Sequence, residues 1–174
     1  STSYTGSWSH TYSTIGQYFI KINGRWTMPI ENTTSSYYPF PYNEHAKQYI
    51  THIAIPSYIT DIPVNYFKDM TGLKSINIPI GVKYIGQEAF SDCTSLEYVA
   101  IPDTVTVCEK QVFYRCTSLK EVILPHSITE IADELFRYCS NLTNIIIPEY
   151  VISIGDYAFE RCISLTEIII PKNV

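Results

Sequence analysis

The chain carries little charge and no long apolar run. Only 17% of its 174 residues are charged, and the formal net charge is −5. Lys and Arg nowhere form a run, so the electrostatic footprint of a nucleic-acid binder is missing. No stretch approaches the 18 consecutive apolar residues of a transmembrane helix, so no membrane span is expected. The motifs HExxH, CxxC, GxSxG, GxGxxG and the P-loop are all absent. His10, His45, His52 and His126 are not spaced as metal ligands. The expectation is therefore a chain with no catalytic constellation, no cofactor and no metal. It begins with Ser and shows no signal peptide, so a signal or upstream segment is expected to have been removed.

What the chain does have is a period. Pro56, Pro79, Pro102, Pro125, Pro148 and Pro171 are spaced by 23 residues throughout. A fixed period of roughly 20–29 residues marks a stacked repeat. Other rows keep the same register: Leu73, Leu96, Leu119, Leu142 and Leu165, then Phe67, Phe90, Phe113, Phe136 and Phe159. Cys93, Cys116, Cys139 and Cys162 form a third, with Met70 one repeat earlier. Ile62, Ile85, Ile131 and Ile154 form a fourth, with Cys108 in its gap. Ile59, Val82, Val105, Ile128 and Val151 form a fifth.

Apolar residues alternate around Ile76 and Ile78, and around Val99 and Ile101, which predicts one short strand per coil. The proline that follows cannot donate to a ladder, so the strand ends there. Ala89, Phe90 and Cys93 have a helix-like spacing, which predicts one or two helical or 3₁₀ turns on the other face. One coil cannot bury its own apolar row, so stability accrues from stacking neighbours. Acidic residues such as Glu121 and Glu167 recur two coils apart, as solvated faces do.

The segments Val82-Lys83-Tyr84-Ile85-Gly86-Gln87-Glu88-Ala89-Phe90-Ser91-Asp92-Cys93-Thr94-Ser95-Leu96 and Val151-Ile152-Ser153-Ile154-Gly155-Asp156-Tyr157-Ala158-Phe159-Glu160-Arg161-Cys162 resemble the BspA-like type of leucine-rich repeat. The resemblance covers about residues 48–174. It implies an α/β solenoid: a right-handed leucine-rich-repeat superhelix with one parallel sheet, short helical or 3₁₀ turns on the other face, and an N-terminal β-hairpin cap. Pro63, Glu109 and Ala132 replace the family's Gly, and Tyr66, Val112 and Leu135 replace its Ala, which puts local turn geometry in question. The resemblance also implies display at the surface of bacteria or parasitic protozoa and adhesion to host or neighbouring-cell proteins.

Residues 1–47 lack the period. Tyr18-Phe19-Ile20-Lys21-Ile22, Asn23-Gly24, Arg25-Trp26 reads as strand, turn, strand, Asn-Gly being a strong hairpin signal. The segment is similar to the N-terminal cap of the family. Trp26, Met28, Tyr38, Phe40 and Tyr42 are expected to cover the open end of the first coil, since terminal repeats need caps. The expected domains are a cap over residues 1–47 and repeats over 48–174. Val174 stops in mid-coil, which points to a truncated or uncapped C-terminal end and a longer parent chain.

The five cysteines suggest no disulfide framework. Four share one slot that Met70 also fills, so the slot is a packing position. Parallel side chains on adjacent coils are poorly aimed for a disulfide, and a ladder of sulfurs is not a tetrahedral zinc site. Two sequons occur, at Asn32 and Asn141, and Asn141, in the turn before a strand, is the better glycosylation candidate.

Strand alternation sends two rows outward. One is His52, Ser75, Tyr98, Glu121, Asn144 and Glu167. The other is Ala54, Asn77, Ala100, Ile123, Ile146 and Ile169. The second row ends in three isoleucines, expected side by side one strand spacing apart. β-branched residues suit any sheet, but a contiguous exposed run also suits a contact surface. Tyr98, Ile123, Ile146 and Ile169 are therefore the candidate protein-contact residues. The function expected is a non-catalytic interaction module of a cell-surface or secreted protein, its partner a protein ligand such as a host extracellular-matrix protein, or another copy of itself. The alternative is a structural spacer or self-assembly unit, and a weaker third is an accessory domain of an enzyme.

Overall fold

The computed structural model describes residues 18–22, 25–30 and 47–174. Two strands, β1 (Tyr18–Ile22) and β2 (Arg25–Ile30), pair antiparallel, as the hairpin pattern predicts. β1 also pairs antiparallel with β3 (Ile50–Ala54), which opens the repeats. Of the residues expected to cover the first coil, Trp26 and Met28 fall on β2, and Tyr38, Phe40 and Tyr42 lie outside the described residues.

From β3 the chain winds as a parallel β-solenoid. Between the sheet strands β3, β5 (Ser75–Asn77), β7 (Tyr98–Ala100), β9 (Glu121–Ile123) and β11 (Asn144–Ile145) lie the two-residue strands β4 (Asp61–Ile62), β6 (Tyr84–Ile85), β8 (Val107–Cys108), β10 (Glu130–Ile131) and, after β11, β12 (Ser153–Ile154). The main sheet has seven strands in the order β11-β9-β7-β5-β3-β1-β2. Smaller sheets, β4-β6-β8 and β10-β12, line a second face. The Ile62 row sits in these smaller sheets, and Cys108 fills its gap, buried like the isoleucines.

The apolar rows meet along one continuous core. Leu73, Leu96, Leu119 and Leu142 have no exposed surface, and Val99, Ile101, Val122 and Leu124 alternate inward as expected. Phe67, Phe90, Phe113, Phe136 and Phe159 stack face to face, with centroids 5.3–5.6 Å apart and ring planes within 15°. Coil spacing near 4.8 Å brings the rings into offset contact, the favoured aromatic geometry. Each ladder thiol donates back to the phenylalanine carbonyl of the previous coil: Cys93 to Phe67 at 3.2 Å, and Cys116, Cys139 and Cys162 to Phe90, Phe113 and Phe136 at 3.1 Å. All five cysteines are free. The sulfurs aim at carbonyls one coil back and not at one another.

The back face differs from the sequence expectation. Where helical or 3₁₀ turns are predicted, the chain makes consecutive β-turns. Tyr66 N–H donates to Pro63, Lys68 to Asn65 and Met70 to Phe67, each three residues back. The alternate N–H groups of Asn65, Phe67 and Asp69 leave the coil and donate to Gln87, Ala89 and Ser91 of the next at 2.8–2.9 Å. Asn65 and Asp69 reach this alternation through positive φ, 60° and 62°. The same pair recurs as Glu88 and Asp92, Gln111 and Arg115, Glu134 and Tyr138, Tyr157 and Arg161. Left-handed conformation costs about 1–2 kcal/mol per non-glycine residue. A helix would direct every N–H along its own axis and leave the next coil's carbonyls without donors.

At the Gly position the departure to Glu109 preserves the backbone bond, whereas Pro63 has no N–H to make it. Gly86 N–H donates to Ile62 O at 2.8 Å, and Glu109 N–H donates to Ile85 O at 3.0 Å in the same way. The Glu109 carboxylate also accepts from Gln87 N–H at 3.2 Å. At Gly86 itself an added Cβ would lie 2.6 Å from Val64 N, so glycine allows the close approach there.

Candidate functional site: an apolar stripe on the parallel sheet

Register places the candidate residues. In the sheet His52 pairs with Ser75, Ser75 with Tyr98, Tyr98 with Glu121 and Glu121 with Asn144. Ala54 pairs with Asn77, and Ala100 with Ile123. The strand register thus carries the first row from His52 to Asn144 and pairs Ala100 with Ile123 in the second, while Ile146, Glu167 and Ile169 lie outside the paired strands. Tyr98 stands in the first row at 41% exposure. Ile123 and Ile146 are 48% and 77% exposed.

The structure brings Ile123 and Ile146 together in a small depression of about 180 Å³, with His126 and Pro148 at its border. Asp103, one coil earlier, holds that border. Its carboxylate accepts from His126 N–H at 2.8 Å and sits 3.1 Å from the ring Nδ1. The backbone bond, and then the ring, hold the Asp103 carboxyl below its ordinary pKa. The pairing follows from the 23-residue register of the two residues, a signal present in the sequence.

Ile169 is placed differently from the expectation. It is 76% exposed, but residues 166–170 lie outside the sheet, so it is not hydrogen-bonded beside Ile146. Leu165 and Ile168 are only partly buried, and Ile170 is 48% exposed. The last coil forms no strand pair with β11, and a groove of about 790 Å³ is lined by both. Ile146 and Ile169 both line it, with Ile145, Ile147 and Tyr150. The stripe is Ile123 on β9 and Ile146 just past β11, running into a groove of mixed lining that Ile169 shares with Thr143, Glu149, Glu167 and Lys172.

Such an arrangement offers area, not reactivity. Its isoleucines can give up surface to a partner, each worth about 1.5–3 kcal/mol when fully covered. Among the described residues no group of three or more His, Cys, Asp or Glu is arranged to hold a metal, and no helix is long and apolar enough to cross a membrane. Asn141 is exposed before β11, while Asn32 lies outside the described residues.

Comparison with known proteins agrees with the geometry. A family model described as the BspA type leucine rich repeat region matches residues 39–145 in 6 copies. No curated protein matches the chain. Among solved structures, a leucine rich repeat protein of T. pallidum is similar at 28% identity and TM-score 0.66, over 70% of this chain and 63% of that one. A leucine-rich repeat protein of Bacteroides ovatus is 32% identical, with TM-score 0.58 over 73% of this chain and 39% of its own. A leucine rich cell surface protein of Faecalibacterium prausnitzii is 28% identical, with TM-score 0.50 over 94% and 55%. The chain spans less than two thirds of each of these relatives. With five parallel strands in register and the repeat signature in successive coils, the chain belongs to the BspA type leucine rich repeat family.

Proposed function

We propose that this chain is a non-catalytic protein-interaction module, displayed outside the cell, that adheres to host or neighbouring-cell proteins through the surface bearing Ile123, Ile146 and Ile169, with Tyr98 at its margin. The observation that carries the reading is the exposure of these three isoleucines across the last coils and the groove beside them. The description of the F. prausnitzii relative as a cell surface protein supports the location. Apolar surface gathered in one place is what a protein partner covers.

The test replaces Ile123, Ile146 and Ile169 together by Thr, which keeps β-branching and adds polarity. Binding to a panel of immobilised extracellular-matrix proteins should weaken at least tenfold while the far-UV spectrum is kept. An unchanged binding profile places the contact elsewhere. A second reading is self-assembly into a larger surface structure through the same exposed isoleucines. Sedimentation of the parent chain separates the two, because self-assembly requires concentration-dependent mass without added ligand.

A further inference from the structure

The back face carries a second site of different chemistry. A shallow pocket of about 520 Å³ crosses three coils there, lined by Tyr114, Arg115, Thr117, Tyr138, Ser140 and Arg161, with Ile163 at one end. No carboxylate lines it, in a chain whose formal net charge is −5. Arg115 and Arg161 occupy the left-handed position of their coils, at φ 58° and 64°, and Tyr138 occupies the same position between them at φ 64°. The equivalent residues of the first coils are Asp69 and Asp92. Along this one row the surface therefore changes from acidic to basic and aromatic.

The pocket is organised before any ligand arrives. Tyr114 and Tyr138 meet edge to face, with centroids 5.7 Å apart at 85°. Arg137 lies 5.0 Å over the Tyr138 ring and 5.0 Å over Tyr157, so the ring of Tyr138 is held from two sides. Arg137 spends its own charge on Glu134, at 2.8 Å, and on Glu160. Arg115 contacts Asp92 at 3.1 Å with its side chain 57% exposed. Among the described residues Arg161 is exposed and has no ion pair.

Two features narrow the ligand. Arg115 and Arg161 stand two coils apart, about 9–10 Å at the usual strand spacing, with Tyr138 between them in the same row. A ligand lying along the row meets both guanidiniums with the Tyr138 ring between them. The backbone of the pocket is also already committed: Arg115 N–H donates to Arg137 O at 2.9 Å, Tyr138 N–H to Glu160 O at 2.8 Å, and Ser140 N–H to Tyr138 O at 2.8 Å. A peptide would find no open ladder to join. What remains available is guanidinium for carboxylate or sulfate and tyrosine faces for apolar ring surfaces, since the Thr117 and Ser140 hydroxyls already donate to Thr94 O and Thr117 O at 3.5 and 3.3 Å. We infer that this pocket binds an acidic polysaccharide, a carboxylated or sulfated sugar chain lying along the solenoid axis across Tyr138 with its charges on Arg115 and Arg161.

The test measures fluorescence anisotropy of a labelled heparin-derived hexasaccharide at physiological salt. Parent protein should bind saturably. Arg161→Gln should weaken binding at least tenfold, and Tyr138→Asn, an exchange tolerated in left-handed backbone, at least fivefold. Lys83→Gln, an exposed cation outside the pocket, should stay within twofold. Unlabelled carboxylated chondroitin without sulfate, set against its sulfated form, distinguishes the two anion sources. The inference is overturned if Arg161→Gln and Lys83→Gln behave alike, if Tyr138→Asn binds as the parent does, or if polyphosphate or oligo(dT) of matched charge competes equally well. Far-UV spectra of the variants confirm that each retains the fold. The Ile123, Ile146 and Ile169 triple variant should bind the hexasaccharide unchanged, which separates this site from the isoleucine surface.

Discussion

Raising the pH should unfold this solenoid before its tyrosines and lysines ordinarily titrate, because its core holds five thiols. Burial pushes Cys108 up to about 12 and the less enclosed Cys162 up to about 11. It drives Cys93, Cys116 and Cys139 higher still. In the unfolded chain each thiol ionises near 8.5. The folded state thus binds more protons than the unfolded state above that pH. The stabilisation is whole below pH 8.5 and declines as pH rises toward the folded values. One pH unit above the unfolded pKa, each thiol costs about 1.4 kcal/mol, so five cost roughly 7 kcal/mol at pH 9.5. That is comparable with the whole stability of an ordinary domain, about 5–15 kcal/mol. The assay is urea unfolding by far-UV circular dichroism, under reducing conditions, at intervals from pH 7.5 to 9.5. With a slope of about 2 kcal/mol/M the midpoint should fall by about 3 M across that range. Cys139→Ala lowers stability at every pH but removes one titrating group, so its dependence on pH should be about one fifth shallower. A midpoint that stays flat to pH 9.5, or a variant with the parent's slope, would refute the reasoning.

Phe113→Ala removes a ring stacked at 5.6 Å on both sides. It should cost about 3–5 kcal/mol in the same assay, and a loss below about 1 kcal/mol would contradict the continuous stack. Gly86→Ala sets a Cβ 2.6 Å from Val64 N and 2.9 Å from Pro63 C, both backbone atoms that cannot swing aside. The expected loss is about 1–3 kcal/mol, and a neutral result would show that the first two coils slide apart freely.

The legible part of this fold is the part that repeats. Leu96, Phe90, Cys93 and Ile85 recur because each must meet its own copy one coil away, so packing writes itself into the sequence as a period. The exposure of Ile123 and Ile146 followed from the same register and strand alternation. The back face misled because Ala89, Phe90 and Cys93 have a spacing that suits a helix and a run of β-turns alike. What decides between them is the bonding of Asn65, Phe67 and Asp69 to the next coil, which single-coil periodicity does not report. The missing strand pairing of the last coil was equally hidden, since Ile168 and Ile170 keep the pattern of residues that pack inward. The pocket of Arg115, Tyr138 and Arg161 lay in a slot that does not repeat in kind. A reading built on recurrence passes over positions whose content changes, though the change from Asp69 and Asp92 to Arg115 was there to be seen.

The paired left-handed turns separate holding the chain from presenting it. Their geometry is secured by main-chain bonds between coils, at positions occupied by Asn, Glu, Gln, Tyr, Asp and Arg alike. Selection can therefore rewrite these letters one at a time while the spine beneath stays fixed, much as type is reset in a frame. A lineage under pressure to change what it grips has a column of sites where novelty and foldability hardly compete. Relatives with the same skeleton are then expected to diverge fastest along this edge, and new specificities to arise there by substitution without insertion or loss of a coil.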